Sequence, residues 1–160
     1  MRITAYNREE AVYYAKLWAF SRNPKYYNFD KIGGDCTNFV SQCIFAGASV
    51  MNYTPVMGWY YNSVNDRTPS WAGVDFLYNF LTTNKGYGPF GKVAQFTDME
   101  IGDVIQLGNL DNNFYHSLIV TSKKGQSLYV STHTFDSLDR PLNSYYFEKI
   151  RHIKIEGVRK

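Results

Sequence analysis

The 160 residues suffice for one domain with a substantial core and are too few for two ordinary ones. Hydrophobic residues make up 44% and charged residues 19%, which excludes a disordered chain, and no apolar run nears the ~20 residues that span a bilayer. A net charge of +3 with no Lys/Arg run longer than two excludes a dedicated nucleic-acid binder, while a mildly basic surface still favours polyanionic ones.

The opening MRITAYNREEAVYYAKLWAF lacks an apolar core and a small-residue cleavage site, so no signal peptide is visible. Residues 7–21 read as a helix: Asn7 caps it with Glu10 reaching back, and Ala11, Ala15, Trp18 and Ala19 form an apolar stripe. Arg22-Asn23-Pro24 ends it, because the residue before proline is pushed out of the helical region. A Tyr- and Asn-rich loop leads through Gly33-Gly34-Asp35 into a second helix over 36–46, with Phe39, Val40 and Cys43 on one face and Gly47 as a stop. Residues 50–70 read as loop with exposed Trp59, Tyr60 and Tyr61, and a third helix covers 71–83.

After Gly91 the pattern turns to strands at 103–107, 117–122, 127–133 and 150–155, with Lys123-Lys124-Gly125-Gln126 as a hairpin turn. Helices first and an antiparallel sheet after give an α+β fold in a single domain over 1–160. Gly86-Tyr87-Gly88-Pro89-Phe90-Gly91 fits G-x-G-x-x-G literally, but it follows a helix and contains proline, so it reads as a turn-rich connector.

Cys36 and Cys43 lie two helical turns apart, ~10 Å, too far to form a disulfide. Cys43 sits inside an apolar face, whereas Cys36 opens its helix, where free N–H groups and the helix dipole favour a thiolate. His116 opens one strand and His133 closes the next, so a turn at 122–127 puts them at the same end of adjacent strands, as neighbours on one face. Thiol acyl transfer needs a cysteine, an imidazole base and a group orienting that base. His152 reads as an exposed strand residue. No paired Cys/His ligands suggest a metal, and no G-x-S-x-G elbow is present.

The segments Asn23-Pro24-Lys25-Tyr26-Tyr27-Asn28-Phe29 and Gly33-Gly34-Asp35-Cys36-Thr37-Asn38-Phe39-Val40-Ser41-Gln42-Cys43 resemble the "putative amidase domain" family of bacterial proteins, grouped with the papain-like NlpC/P60 and CHAP cell-wall hydrolases. Ile101-Gly102-Asp103-Val104, His116-Ser117-Leu118-Ile119-Val120 and His133-Thr134 extend the resemblance over nearly the whole chain. It implies a papain-like fold, Cys36 as nucleophile, His116 as general base, and His133 or Asp136 orienting that base. The Cys36 N–H would form part of an oxyanion hole, with Tyr26, Tyr27 or Asn28 as a second donor. Asp35, beside the nucleophile, and Trp59 and Trp71, lining a groove, would bind substrate. No cofactor or metal is expected.

Three functions follow from that resemblance: a peptidoglycan amidase or endopeptidase, an enzyme acting on another peptide, isopeptide or acyl substrate, or a silent wall-binding module. A monomer is expected, with no nucleic-acid partner and no membrane insertion. Its expected place of action is the cell wall or extracellular space, reached from a cytoplasmic or phage-delivered origin.

Overall fold

Asn7 begins the first helix as expected, its Oδ1 accepting the Glu10 N–H at 3.1 Å. Its own N–H goes to the Gly47 carbonyl at 2.9 Å rather than to the Glu10 side chain, so the cap works in one direction only. In the computed structural model, which describes residues 1–160, a short strand β1 (Ile3–Thr4) leads into α1 (Arg8–Trp18). Ala11, Ala15 and Ala19 are fully buried, and their small size lets α1 lie close on α2 (Cys36–Ala48). The second helix passes through Gly47 and ends with Ser49 in the left-handed region at φ 66°. Gly47 is there for room: a Cβ on it would meet the Tyr6 ring and the Asn7 carbonyl at 2.6 Å.

The segment over 50–70 holds a small hairpin, β2 (Tyr61–Ser63) with β3 (Asp66–Arg67), and an Asn52–Trp59 bridge. The helix expected over 71–83 is two, α3 (Pro69–Ala72) and α4 (Val74–Thr83), parted by extended backbone at Gly73. Leu77, Phe80 and Leu81 turn the second of these onto the core.

The remaining strands are β4 (Gly88–Val93), β5 (Val104–Gly108), β6 (Phe114–Lys124), β7 (Ser127–Thr132), β8 (Ser137–Pro141) and β9 (Lys149–Arg159). All pair antiparallel in the order β1-β9-β5-β6-β7-β8, with β4 on the other edge of β9. The four expected strands are thus present, two of them, β6 and β9, longer than expected, while the supposed connector over 86–91 supplies most of β4. The two ends of the chain meet: Arg2 N–H donates to the Lys160 carbonyl at 2.8 Å, and Lys160 N–H donates to the Arg2 carbonyl at 2.9 Å. The fold is α+β.

The sheet separates two apolar clusters. On the helix side, Phe39, Val40, Ile44, Trp59, Trp71, Leu77 and Leu81 pack on Val104, Ile119 and Ile153. On the far side, Ile105, Leu107, Leu118, Val120 and Val130 gather Met99, Leu128 and Leu142. Trp71 lies at the centre of the first cluster, fully buried, stacked on Tyr26 at 5.8 Å and next to Trp59 at 4.8 Å. We expect Trp71→Ala to lower the unfolding free energy by about 3–5 kcal/mol in urea titration, and a loss under about 1 kcal/mol would contradict this packing.

Candidate active site

Gly33 and Gly34 carry φ of +81° and +96°, a left-handed pair that turns the chain sharply into α2. A Cβ on Gly34 would also crowd Thr134 Oγ1 at 3.1 Å. Asp35 follows in the capping position yet makes no capping bond. Its buried carboxylate is taken elsewhere: Oδ1 accepts from the Phe29 N–H at 2.8 Å and from Asn38 Nδ2 at 2.9 Å, and Oδ2 lies 2.6 Å from His133 Nδ1. The other His133 nitrogen lies 2.8 Å from the Trp18 carbonyl. Both ring nitrogens therefore face oxygens, and the ring is held between them. Phe39 stacks on that ring at 4.0 Å.

With Asp35 turned away, no side chain caps α2, and its first-turn N–H groups stay open beside Cys36. Cys36 as a whole is 6% exposed. Burial pushes its pKa up, opposed by the Ser117 backbone N–H and by the Thr37 hydroxyl at 3.8 Å. A polar chain lies beneath it. Thr37 Oγ1 and Ser117 Oγ are hydrogen-bonded at 2.9 Å, and Gln106 Nε2 donates to Ser117 Oγ at 3.2 Å and to the Val74 carbonyl at 2.8 Å. Arg151 donates to Gln106 Oε1 at 3.0 Å.

His116 precedes Ser117 on β6, so the strand touching the thiol carries the imidazole one residue earlier. The side chains alternate, however. Ser117 and Ile119 face the helices, whereas His116 pairs with Leu107 and falls on the face of Leu118. No hydrogen bond joins either histidine to Cys36 Sγ. His116 lines a hollow of about 260 Å³ with Arg140, Tyr145 and Phe135. Burial first, then Arg140, pushes its pKa down to about 4, so the ring is neutral at pH 7.

The expected closeness of His116 and His133 on one face is corrected by a bulge. From the Gly125–Gln126 turn the pairing starts as Lys124↔Ser127 and Ser122↔Tyr129, but beyond Thr121 it runs Val120↔Val130 and Ile119↔Ser131. That one extra residue puts His116 and His133 on opposite faces. His133 is committed to Asp35 and Trp18. Asp136 is held by both terminal nitrogens of Arg22, at 2.9 and 3.0 Å, and does not reach His116 either.

Other expected site residues also fall differently. Asp35 is buried among protein partners rather than offered to substrate. Trp59 and Trp71 are core residues and line no groove: their indole N–H groups donate to Ser41 Oγ at 3.1 Å and Asn38 Oδ1 at 2.9 Å. Tyr26 stacks on Trp71, while Tyr27 is partly exposed with its carbonyl held by Asn38. Asn28 is exposed, and its Oδ1 accepts the Asp30 N–H at 2.8 Å. His152 is half-buried against Phe96 rather than exposed. The parts that Arg22, Asn38, Gln106 and Ser117 play around the site were not read from the sequence, where isolated polar residues carry no sign of meeting in space. No group of three or more His, Cys, Asp or Glu residues is placed to hold a metal ion.

Two curated relatives from Bacillus subtilis (strain 168) match over most of this chain. Uncharacterized protein YhbB is 34% identical over 85% of it, and Uncharacterized protein YjcM is 29% identical over 87%. The chain spans 44% and 33% of their lengths, respectively. No solved structure matches it. Residues 5–156 match the model of the "Putative amidase domain" family, whose name points to amide hydrolysis. This chain belongs to that family.

Proposed function

We propose that the protein hydrolyses amide bonds with Cys36 as nucleophile, as a papain-like enzyme of the NlpC/P60 and CHAP kind, and that its substrate is cell-wall peptidoglycan. The observation that carries this reading is a thiol at an uncapped helix N-terminus, held against the strand on which His116 is the next side chain. The mildly basic surface suits a polyanionic wall, and we place its action at the wall or outside the cell.

Burial raises the Cys36 pKa and lowers that of His116, so the resting pair is a neutral thiol and a neutral imidazole. The imidazole of His116 is the base in this reading: it takes the thiol proton as Sγ adds to the amide carbonyl, a transfer that requires the start of β6 to shift, since the ring rests on the other face of that strand. The open N–H groups of the first turn of α2 hold the oxyanion. The proton then passes to the leaving amine, the C–N bond breaks, and water hydrolyses the thioester to a carboxylic acid. With His133 and Asp136 both committed elsewhere, the machinery is a dyad.

Digestion of purified Gram-positive peptidoglycan, read by mass spectrometry, tests the reading. New amine and carboxyl ends are expected with the wild type, and Cys36→Ala should lower their rate at least about a thousandfold. Cleavage of other amides alone would keep the chemistry and change the substrate. The lack of a bond between Sγ and an imidazole favours a second reading, a wall-binding module without catalysis. It wins if neither protein cleaves and the wild type still pulls down with the wall.

Two pH dependences follow. His116 accepts a proton only while neutral, so the acid limb of kcat/KM should lie at about pH 4 rather than near 6.5. Iodoacetamide should alkylate Cys36 slowly at pH 7, with the rate still rising beyond the ordinary thiol range near about 8.5. A rate that levels off below pH 7 would mean a preformed thiolate–imidazolium pair.

A further inference from the structure

Gln106 fixes the direction of the polar chain beneath Cys36. Arg151, Gln106 and Ser117 form one row across three strands, Arg151 paired with Gln106 between β9 and β5, and Gln106 with Ser117 between β5 and β6. An arginine only donates, so the Gln106 atom that faces Arg151 Nη1 at 3.0 Å is its carbonyl oxygen. A backbone carbonyl only accepts, so the atom that faces the Val74 carbonyl at 2.8 Å is the amide nitrogen. The amide is locked from both sides, and its second hydrogen points to Ser117 Oγ at 3.2 Å.

That leaves one arrangement for the two hydroxyls. Ser117 Oγ accepts from Gln106, and its own proton goes to its other partner, Thr37 Oγ1, at 2.9 Å. Thr37 Oγ1 is then an acceptor toward Ser117, and its proton goes to its other partner, Cys36 Sγ, at 3.8 Å. Thr37, Ser117 and Gln106 are at most 1% exposed, so bulk water does not compete for these bonds. At the far end the Arg151 guanidinium lies 4.0 Å from the Tyr78 ring and 3.7 Å from the Phe114 ring, with Asp75 at 2.7 Å.

We propose that this row stabilises the Cys36 thiolate: Arg151 and Gln106 orient Ser117 and Thr37 so that each hydrogen bond points toward Sγ, and the Thr37 hydroxyl donates to the sulfur. A hydrogen bond to an ionised acceptor is stronger than one to a neutral acceptor, so the chain favours thiolate over thiol. Successive bonds polarise one another, which carries the effect of the guanidinium along the row. Every hydrogen of the chain stays on its own atom, and the thiol proton leaves to the base. Thr37 touches the reacting atom, whereas Ser117, Gln106 and Arg151 act through it as positioning residues. Burial pushes the Cys36 pKa up, and the Thr37 hydroxyl is among the donors that oppose it. The inference rests on Cys36 as the nucleophile and needs no contact between Sγ and an imidazole.

Other charged and titratable groups surround the thiol. Asp35 precedes it and disfavours a thiolate, but its carboxylate is bonded to His133 and lies 3.7 Å from Arg22. His116 stands on the other face of β6. From α1, the Tyr14 hydroxyl bonds Gln42 of α2, and from α4, Asp75 meets Arg151 rather than the sulfur.

The test follows alkylation of Cys36 by iodoacetamide against pH. Mass spectrometry separates it from Cys43, and thermal unfolding checks each variant. Thr37→Val should move the midpoint of the rate up by about one pH unit. Thr37→Ala, which also lacks the hydroxyl, should move it as far and serves if the valine does not fold. Thr37→Ser should return the midpoint to the wild-type value. Gln106→Leu, which frees Ser117 to turn, should raise it by about half a unit with Thr37 intact. An unmoved midpoint in Thr37→Val and Thr37→Ala, or a Thr37→Ser midpoint as high as theirs, would overturn the proposal.

The midpoint is read without turnover, which separates this inference from catalysis. If the wild type cleaves no amide yet Thr37→Val raises the midpoint, amide hydrolysis fails and the thiolate chain stands. If the wild type cleaves and Thr37→Val leaves the midpoint unmoved, hydrolysis stands and the chain falls.

Discussion

A buried carboxylate costs several kcal/mol in lost hydration unless donors surround it, and Asp35 has them from three parts of the chain. The Phe29 N–H comes from the loop before it, Asn38 from the helix after it, and His133 from just past β7. Arg22 lies at 3.7 Å and adds positive charge. Through His133 the same knot reaches the Trp18 carbonyl at the end of α1. One side chain thus ties the helical half of the chain to the sheet half and fixes the loop that presents Cys36. By spending its oxygens there, Asp35 also leaves the start of α2 uncapped. The open helix end beside the thiol and the rigid support behind it have one cause.

The sheet governs the rest of the site. β6 touches α2 through Ser117, and its alternation decides which side chains share the thiol's face. Ser117 and Gln106 are buried polar groups in an otherwise apolar layer, and each is fully engaged: Gln106 donates twice and accepts from Arg151. Such a chain holds Thr37, and with it the first turn of α2, against the strand. The imidazole stands on the opposite face of that strand, in a hollow floored by the far-side cluster.

Much of this architecture is legible in the sequence because it is periodic. Alanines four apart on α1 and the apolar alternation of β5, β6, β7 and β9 report burial directly. The missed strands are edge strands with weaker patterns. β4 contains Pro89, which a strand tolerates only where one side is unpaired, and β4 pairs with β9 alone. β8 ends on Pro141 at the other edge. Trp59 and Trp71 looked like surface residues because the segment around them has no period, yet aromatic stacking and two indole hydrogen bonds place them in the core. At the site, residue types were easier to read than their partners. Counting back from the Gly125–Gln126 turn puts His116 and His133 on one face, and only the bulge at Thr121 separates them. Nothing in the local sequence announces a single inserted residue, so the geometry of the pair was not legible there.

The mutual hydrogen bonds of Arg2 and Lys160 mean that this fold is almost a closed loop of backbone. A linker of a few residues would join the two positions without disturbing β1 or β9, and new ends could then be opened at the exposed Gly125–Gln126 turn. Such a permuted chain would begin at β7 and run through the rest of the sheet's C-terminal strands before reaching α2, so that the order of synthesis is changed while every contact around Asp35 is kept. The arrangement also makes the domain easy to splice into a loop of a host protein, because the incoming and outgoing strands sit side by side. Chain order, on this view, is one of several ways to traverse the same set of contacts.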